Sequence, residues 1–128
     1  MLFHDYQDAA NPNNGASIDL QDAFKVMRSS LTTRPPFMCA LSSTMGVALI
    51  GVAADGGCVQ FSPSEEGPYA MLLGDRATSG DGERSFLVGG TPTPIPERYM
   101  MSWPRLSDVA SHLLLHGLAN APFPWEAV

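Results

Sequence analysis

Asp108, His112 and His116 recur at a spacing of four residues in a segment with helical periodicity, so they form one stripe along the predicted helix. Two histidines four residues apart can bind zinc, and a carboxylate can orient an imidazole. The first histidine is followed by Leu113–Leu115 and not by the glutamate of a zinc-protease motif. The simpler interpretation is a solvated helix flank, with a protonated His116 near the negative end of the helix. We expect no bound metal.

The other reactive side chains also lack the neighbours that catalysis requires. The adjacent carboxylates Glu65 and Glu66 could act as a general acid and base, but in an exposed loop such a pair is usually only solvated. Cys39 and Cys58 each lie in an apolar run without a nearby histidine, which favours buried reduced thiols over a nucleophile or a disulfide. No nucleophile elbow or phosphate-binding loop is present. We expect no enzyme activity, no catalytic residues and no cofactor.

Charge and length restrict the partners and the compartment. The chain has 128 residues, which suits a single domain over 1–128, and a net charge of −6. Clustered lysine and arginine, which nucleic acid and anionic membranes require, are missing, whereas a basic protein would be attracted. No apolar run reaches the ~18 residues that span a bilayer, and the first residues do not resemble a signal peptide. We expect a cytoplasmic protein.

Two amphipathic helices are predicted, one near each end of the chain. The first begins after Ser17 or Asp19 as the N-cap and ends before Pro35. The second begins at Pro104 and ends at Gly117, which we expect to adopt a positive φ. The apolar face of the first helix comprises Leu20, Ala23, Phe24, Met27 and Leu31, and that of the second comprises Leu106, Val109, Ala110, Leu113 and Leu114.

The remaining apolar runs predict strands. Met45–Ala54 and Cys58–Ser62 flank an Asp-Gly-Gly turn, which indicates a hairpin. The proline-spaced segment 89–96 has too few amide donors for a central strand and should run along an edge or over a face. Further strands are predicted at 37–41, 69–73, 86–88, 97–102 and 122–125. The chain is therefore predicted to be α+β, with a single antiparallel sheet, a meander of about five to six strands, packed by the two helices. Residues 1–16 are predicted to be loop or irregular.

A protein-binding surface is suggested by apolar residues at positions that should face solvent. Leu115 falls on the polar side of the second helix, Met100 alternates outward in its predicted strand, and seven methionines are available for adaptable contacts. Trp103 and Trp125 are expected to anchor the core. The predicted interface has a methionine and tyrosine centre and an acidic rim. Its candidate residues are Glu65, Glu66, Tyr69, Asp75, Asp81, Glu83, Glu97 and Tyr99.

Short motifs spread from Phe37 to Trp125 resemble a family of bacterial immunity proteins from polymorphic toxin systems, the first-numbered immunity family. They comprise a glycine-spaced strand and turn at 46–56, an aromatic strand with a following Tyr and Gly-Asp step at 59–75, a Gly-x-x-Thr-x-Ile-Pro-like segment at 90–96, and a terminal helix-Gly-Pro-Trp block at 103–125. At Pro94 and Leu114–Leu115 the chain departs from the family pattern, so no contact residue is carried over.

The resemblance implies an immunity protein that binds one cognate toxin, often a deaminase, and covers its active site. We expect a monomer, or a 1:1 heterodimer with the toxin. Nuclease and ADP-ribosyl transferase toxins stay open. The alternative function is that of an acidic secretion chaperone or effector adaptor, a class of small α+β proteins that bind an unfolded client segment. A stable homodimer with such a client would favour this alternative.

Overall fold

In the computed structural model, the residues described are 1–5, 14–31, 35–64, 67, 69–74 and 82–128. These ranges contain two α-helices and eight strands, with a single turn of 3-10 helix at Glu97–Tyr99. The elements are β1 (Leu2–Asp5), α1 (Leu20–Ser30), β2 (Phe37–Ser43), β3 (Gly46–Ala53), β4 (Gly56–Ser62), β5 (Ala70–Leu72), β6 (Glu83–Val88), β7 (Thr91–Pro96), α2 (Trp103–His116) and β8 (Trp125–Ala127).

Both helices follow the boundaries that their end residues predict. The Asp19 side chain, and not Ser17, caps α1 by accepting a hydrogen bond from the Asp22 backbone N–H at 2.8 Å. Pro104 lies in the first turn of α2, where its missing N–H costs no helical hydrogen bond. Gly117 follows the helix with φ of 80°, a value that favours glycine. All five residues of the predicted apolar face of α2 are buried.

The sheet is mostly antiparallel, in the order β7-β6-β2-β3-β4-β5-β8, and β1 also pairs with β2. The β3–β4 hairpin turns at Ala54–Asp55, because Ala53 pairs directly with Gly56. On its other side β2 pairs with β1 along residues 39–42 and, in parallel, with β6 at Phe37 alone. The hairpin of β6 and β7 therefore joins the sheet only at one end of β2.

Alternate residues of the central strands face two separate apolar clusters. On one face, which we call the helix face, Leu41, Ile50 and Phe61 pack with the buried residues of α1 and α2. On the opposite face, Met38, Cys58 and Met71 pack with three residues that follow later in the chain, Phe86, Tyr99 and Met100. Burial on both faces explains why the second half of β3 is apolar at every position.

The chain crosses from one face to the other between Met100 and Met101. Met100 belongs to the cluster opposite the helices, whereas Met101 belongs to the helix-face cluster. Met101 and Gly57 exchange two backbone hydrogen bonds of 2.8 and 2.9 Å. The crossing is held at the start of β4, and the backbones approach so closely there that a Cβ atom on Gly56 would lie 2.0 Å from the Met101 carbonyl oxygen.

The α+β class, the two helices and the mostly antiparallel sheet are confirmed, whereas several details of the prediction are wrong. Among the described residues the sheet has eight strands and not five to six. It is not a simple antiparallel meander, because β2 pairs with β6 in parallel and β5 pairs with β8. Residues 1–16 are not all irregular, since Leu2–Asp5 pair with β2 as β1. Glu97–Tyr99 form a 3-10 turn where a strand was predicted, and Met100 is 1% exposed instead of facing outward. Proline spacing does place β7 at an edge, as expected.

Candidate protein-binding surface

Half of the predicted interface residues lie where the structure can be examined. Glu65, Glu66, Asp75 and Asp81 lie outside the described residues. Tyr69, which immediately precedes β5, is 39% exposed, and its carbonyl oxygen accepts a hydrogen bond from the Val128 N–H at 2.9 Å. Glu83, on β6, is exposed. Tyr99 and Glu97 are engaged in contacts within the protein.

Tyr99 is buried, so its ring cannot be the centre of a contact surface as predicted. Its hydroxyl donates a hydrogen bond to Glu126 Oε2 at 3.0 Å and accepts one from Arg98 Nη2 at 2.8 Å. Burial is the main reason why the pKa of Tyr99 is raised, and the hydrogen bond to Glu126 adds to it. Hydrogen bonds from Arg98 and then Tyr99 lower the pKa of Glu126. The three side chains thus connect the 3-10 turn to β8.

Glu97 is held in a second ion-pair group. Arg84 Nε donates to Glu97 Oε1 at 3.0 Å, and Arg84 Nη1 donates to Asp55 Oδ1 at 2.6 Å. Partial burial by itself lowers the pKa of Arg84, but the hydrogen bonds to Glu97 and Asp55 outweigh it and raise that pKa. The positive charge of Arg84 offsets much of the charge of both carboxylates, which reduces what Glu97 can contribute to an acidic rim.

Among the described candidates, Tyr69 lies far from the acidic residues. Tyr69 lies at the end of β4, since the adjacent Ala70 pairs with Phe61, whereas Asp55 and its partners lie at the start of β4. At about 3.3 Å per residue, these two ends are about 20 Å apart. The described acidic candidates Glu83 and Glu97 join the Asp55 end, because the Glu97 N–H donates to the Gly82 carbonyl at 2.8 Å.

A different surface, at the Tyr69 end of the molecule, collects the exposed apolar side chains. Among the described residues, six large hydrophobic residues are more than a third exposed. Four of them, Leu2, Met45, Leu115 and Trp125, border two grooves that flank the β2–β3 turn, and we call these four the apolar end. The other two, Tyr69 and Val128, pair with one another across the adjoining edge of the sheet.

The β2–β3 turn and the end of α2 hold the apolar end in place. Ser43 Oγ donates a hydrogen bond to the Leu114 carbonyl at 2.7 Å, which links the turn to the last helical turn. The positive φ of Gly117 favours glycine, and the Met45 side chain packs closely over it, since a Cβ atom there would lie 2.9 Å from Met45 Cε. These contacts place Leu115, which is 59% exposed, beside the turn.

The groove lined by Met45 and Trp125, which we call the Trp125 groove, has a volume of about 540 Å³. Its wall also includes Pro63, Leu118 and Ala121, and no lysine or arginine among the described residues lines either groove. A concave apolar surface with one exposed tryptophan is the kind of feature that anchors a protein contact.

The histidine stripe does not form a metal site among the described residues. The rings of His112 and His116 are 5.1 Å apart, and His112 packs edge-on against Phe123 at 5.6 Å. Asp108 is exposed one turn away. Within the described ranges, no three His, Cys, Asp or Glu side chains are grouped in a way that could hold a metal ion.

The two cysteines are buried and form no disulfide, in agreement with the prediction. Cys39 belongs to the helix-face cluster and Cys58 to the opposite cluster, so the sheet separates them. Burial raises the pKa of Cys58 to about 12. The raised pKa lowers the population of the thiolate, which is the reactive form of cysteine.

Comparisons with known proteins leave the family open. No protein-family model matches the chain, and a search of curated proteins finds no match. The resemblance to immunity proteins therefore stays a prediction. None of the helices in the described ranges is both long and apolar enough to cross a membrane.

Sequence reasoning identified only part of the apolar end. The helical projection correctly placed Leu115 on the exposed side of α2. Met45 and Leu2 were missed because their exposure depends on which elements meet at this end. Trp125 was expected to anchor the core, but it lies on a three-residue edge strand and is 42% exposed. The sequence did contain a signal for a terminal edge strand. Prolines flank Phe123, and only the four residues 125–128 follow them in this sequence.

Proposed function

We propose that this protein is a cytoplasmic immunity protein that binds one cognate bacterial toxin and neutralises it by covering the active site of the toxin. By the resemblance, a deaminase is the first toxin class to test. The observation that supports the proposal is the apolar end, where Leu2, Met45, Leu115 and Trp125 are exposed around two grooves. Contiguous exposed apolar groups of this kind typically mark an interaction surface.

The chemistry of this surface suits a folded protein partner. Tryptophan is enriched among the residues that dominate binding energy, and methionine adapts its shape to a partner. A specific complex buries about 800 Å² on each side, which is more than the two grooves provide. The contact would therefore extend onto neighbouring surface, including Tyr69 and Val128 at the adjoining sheet edge.

Charge would contribute mainly to the rate of association and to partner choice. The net charge of −6 attracts a basic toxin and disfavours acidic competitors. Glu65 and Glu66 lie in the sequence between Ser64 and Gly67, and the Gly67 N–H donates to the Ser64 carbonyl at 3.1 Å. Pro63, which precedes Ser64 in the chain, lines the Trp125 groove.

The proposed activity requires no bond-making group on this chain. The clustered ionic side chains pair with one another, Arg84 with Asp55 and Glu97, and Arg98 with Glu126. These pairs connect strands and turns that are distant in sequence, and this structural role accounts for them. Inhibition by occlusion needs shape and charge complementarity alone.

Co-expression with the product of the neighbouring gene tests the proposal. The full chain, carrying an affinity tag, should retain the neighbouring toxin domain as a 1:1 complex by size-exclusion chromatography with light scattering. It should also restore growth to cells that express the toxin. If the neighbouring gene encodes no toxin and no complex forms with any toxin domain encoded in the same genome, the proposed function is wrong.

A secretion chaperone is the second candidate, and the Trp125 groove favours it because a groove can hold an extended client segment. The two functions differ in the state of the partner and of the free protein. A chaperone is expected to be a stable homodimer and to bind an unstructured effector terminus. An immunity protein is expected to be monomeric when free and to require the folded toxin domain.

A further inference from the structure

The outer edge of β8 presents backbone groups that have no partner among the described residues. The Val128 N–H bonds to the Tyr69 carbonyl, and the Leu73 N–H bonds to the Pro124 carbonyl. In an antiparallel pair, alternate residues point their backbone groups to the same neighbour. Residues 124, 126 and 128 therefore face β5, whereas the N–H and C=O groups of Trp125 and Ala127 point away from the sheet.

The strands at the other margins are protected in ways that β8 is not. The Glu97 N–H bonds to the Gly82 carbonyl, and the same alternation places Thr91, Thr93 and Ile95 toward β6. All three outward positions of β7 are prolines, 92, 94 and 96, which have no N–H to offer. The outer side of β1 is covered by residues 15–18, through backbone hydrogen bonds that include Phe3 N–H to the Ala16 carbonyl at 3.1 Å.

The open edge and the Trp125 groove are continuous, because Trp125 belongs to both. Trp125 pairs with Leu72 of the helix-face cluster, so its side chain lies on the helix face. A strand added beside β8 would place alternate side chains on that same face, about 5 Å from their cross-strand neighbours. One of them would lie beside Trp125, at the mouth of the groove.

We propose that an extended, basic segment of the partner protein adds to β8 as a further strand and places an apolar side chain at the Trp125 groove. The inference rests on the proposed function for the identity of the partner. We infer a basic segment from the charge of this protein. No described lysine or arginine lines the grooves, and the chain has a net charge of −6. Two copies of this chain would repel one another, whereas a basic segment is attracted. Strand addition is an established mode of peptide binding.

A peptide of alternating lysine and valine, blocked at both ends, is the probe, and the full-length protein is the target. Amide hydrogen exchange is followed by NMR with and without saturating peptide. The amides of Trp125 and Ala127 should exchange at least about tenfold more slowly with the peptide, because they gain hydrogen bonds. The amides of Glu126 and Val128, which face β5, should change much less.

Matched protein variants and peptides test whether binding depends on the outer edge of β8. Ala127→Pro removes one outward donor in the way that the β7 prolines do, whereas Ala127→Val keeps it. Binding should be lost in the first variant and retained in the second. If Ala127→Pro fails to fold, the same lysine–valine peptide with alternate amides methylated replaces it, and should give no protection. A glutamate–valine peptide of the same length should bind at least tenfold more weakly.

Three results would overturn the inference. The first is unchanged hydrogen exchange of the Trp125 and Ala127 amides when peptide is added. The second is that the methylated peptide binds as tightly as the unmethylated one. The third is that, without peptide, protection of these amides rises with protein concentration, which would identify a second copy of the chain as the occupant. The test needs no toxin, so it is separate from the proposed function. If a toxin co-purifies but the Ala127→Pro complex is as tight as wild type, only the strand-addition inference fails.

Discussion

Residue 57 must be glycine because the backbone of Gly51 lies against it. A Cβ atom there would lie 1.8 Å from the Gly51 carbonyl oxygen and 3.1 Å from Leu106 Cδ2. The Gly51 carbonyl oxygen cannot move away without disturbing the pairing of β3 with β4. A side chain at position 57 would therefore destabilise the centre of the sheet. The same position bonds to Met101, where the chain crosses between faces.

Gly57→Ala should therefore lower the free energy of unfolding by about 3 kcal/mol, as overpacking in a core does. Urea unfolding followed by circular dichroism measures the change. Gly82→Ala is the matched control, because its Cβ atom would meet only Glu97 Cγ at 3.4 Å, an ordinary contact. A Gly57→Ala protein as stable as the control would mean that the two backbones are farther apart than described.

Glu126 predicts a pH dependence of stability. Hydrogen bonds from Arg98 and Tyr99 lower the pKa of Glu126 in the folded protein. A carboxylate with a lowered folded pKa stabilises the protein above the ordinary glutamate value of about 4.3, and this contribution is lost as the pH falls through the folded pKa. Glu126→Gln should therefore melt at a lower temperature than wild type at pH 7, with a gap that narrows toward pH 3.

Thermal melts at pH 7, 5 and 3 measure this gap. Glu83→Gln, at an exposed position on β6, controls for the general loss of one negative charge. A constant gap between wild type and Glu126→Gln across the pH range would contradict the contribution of the hydrogen-bonded group.

At the scale of the element, β7 illustrates how an edge strand is kept from pairing with other chains. Its prolines occupy the three outward positions, so the ladder to β6 stays intact while the outer side loses every amide donor. The alternative periodicity, with prolines facing β6, would have removed the inner hydrogen bonds. The sequence spacing of two is thus required by the geometry of the strand.

Pro94→Val should restore an outward N–H and increase self-association, with little change in the free energy of unfolding, because no inner hydrogen bond is altered. Light scattering over time at high protein concentration measures the association. Thr93→Val adds the same side chain at an inward position and should not associate. If both variants stay monomeric for as long as wild type, the prolines do not protect this edge.

At the scale of the whole molecule, the two ends of β4 have different chemistry. The start of β4 carries an ion-pair group, in which Arg84 bonds to the carboxylates of both Asp55 and Glu97. The other end carries exposed Leu, Met and Trp side chains around grooves without cations among the described residues. A partner that binds through apolar anchors should therefore contact the second end.

Leu115→Asp and Trp125→Ala should each weaken toxin binding by about 2 kcal/mol, roughly thirtyfold, mainly through faster dissociation. Both side chains are more than 40% exposed, so the melting temperature should change little. Surface plasmon resonance measures the rates. Glu83→Lys, which changes an exposed residue at the other end, is the control and should leave the dissociation rate unchanged. Loss of binding in Glu83→Lys alone would place the interface at the ion-pair end.

Local pattern determined much of this protein. The capping aspartate at position 19, the helical spacing of apolar residues and the glycine at 117 specify both helices, because helix formation depends on neighbours within four residues. The edge position of β7 follows from proline chemistry in the same way. The β3–β4 hairpin was also predicted, but its turn is Ala54–Asp55 and not Asp-Gly-Gly, whose glycines lie in β4. Burial of both cysteines and exposure of Leu115 follow from the same local periodicity.

Long-range contacts decided the rest. Tyr99 and Met100 are buried because β6 and the following turn cover the second face of the sheet, a contact between segments about fifty residues apart in the chain. Leu2, Met45 and Trp125 come together from the first strand, a hairpin turn and the last strand, and no short window of sequence contains that information. The candidate surface exists only because three chain segments end at the same place.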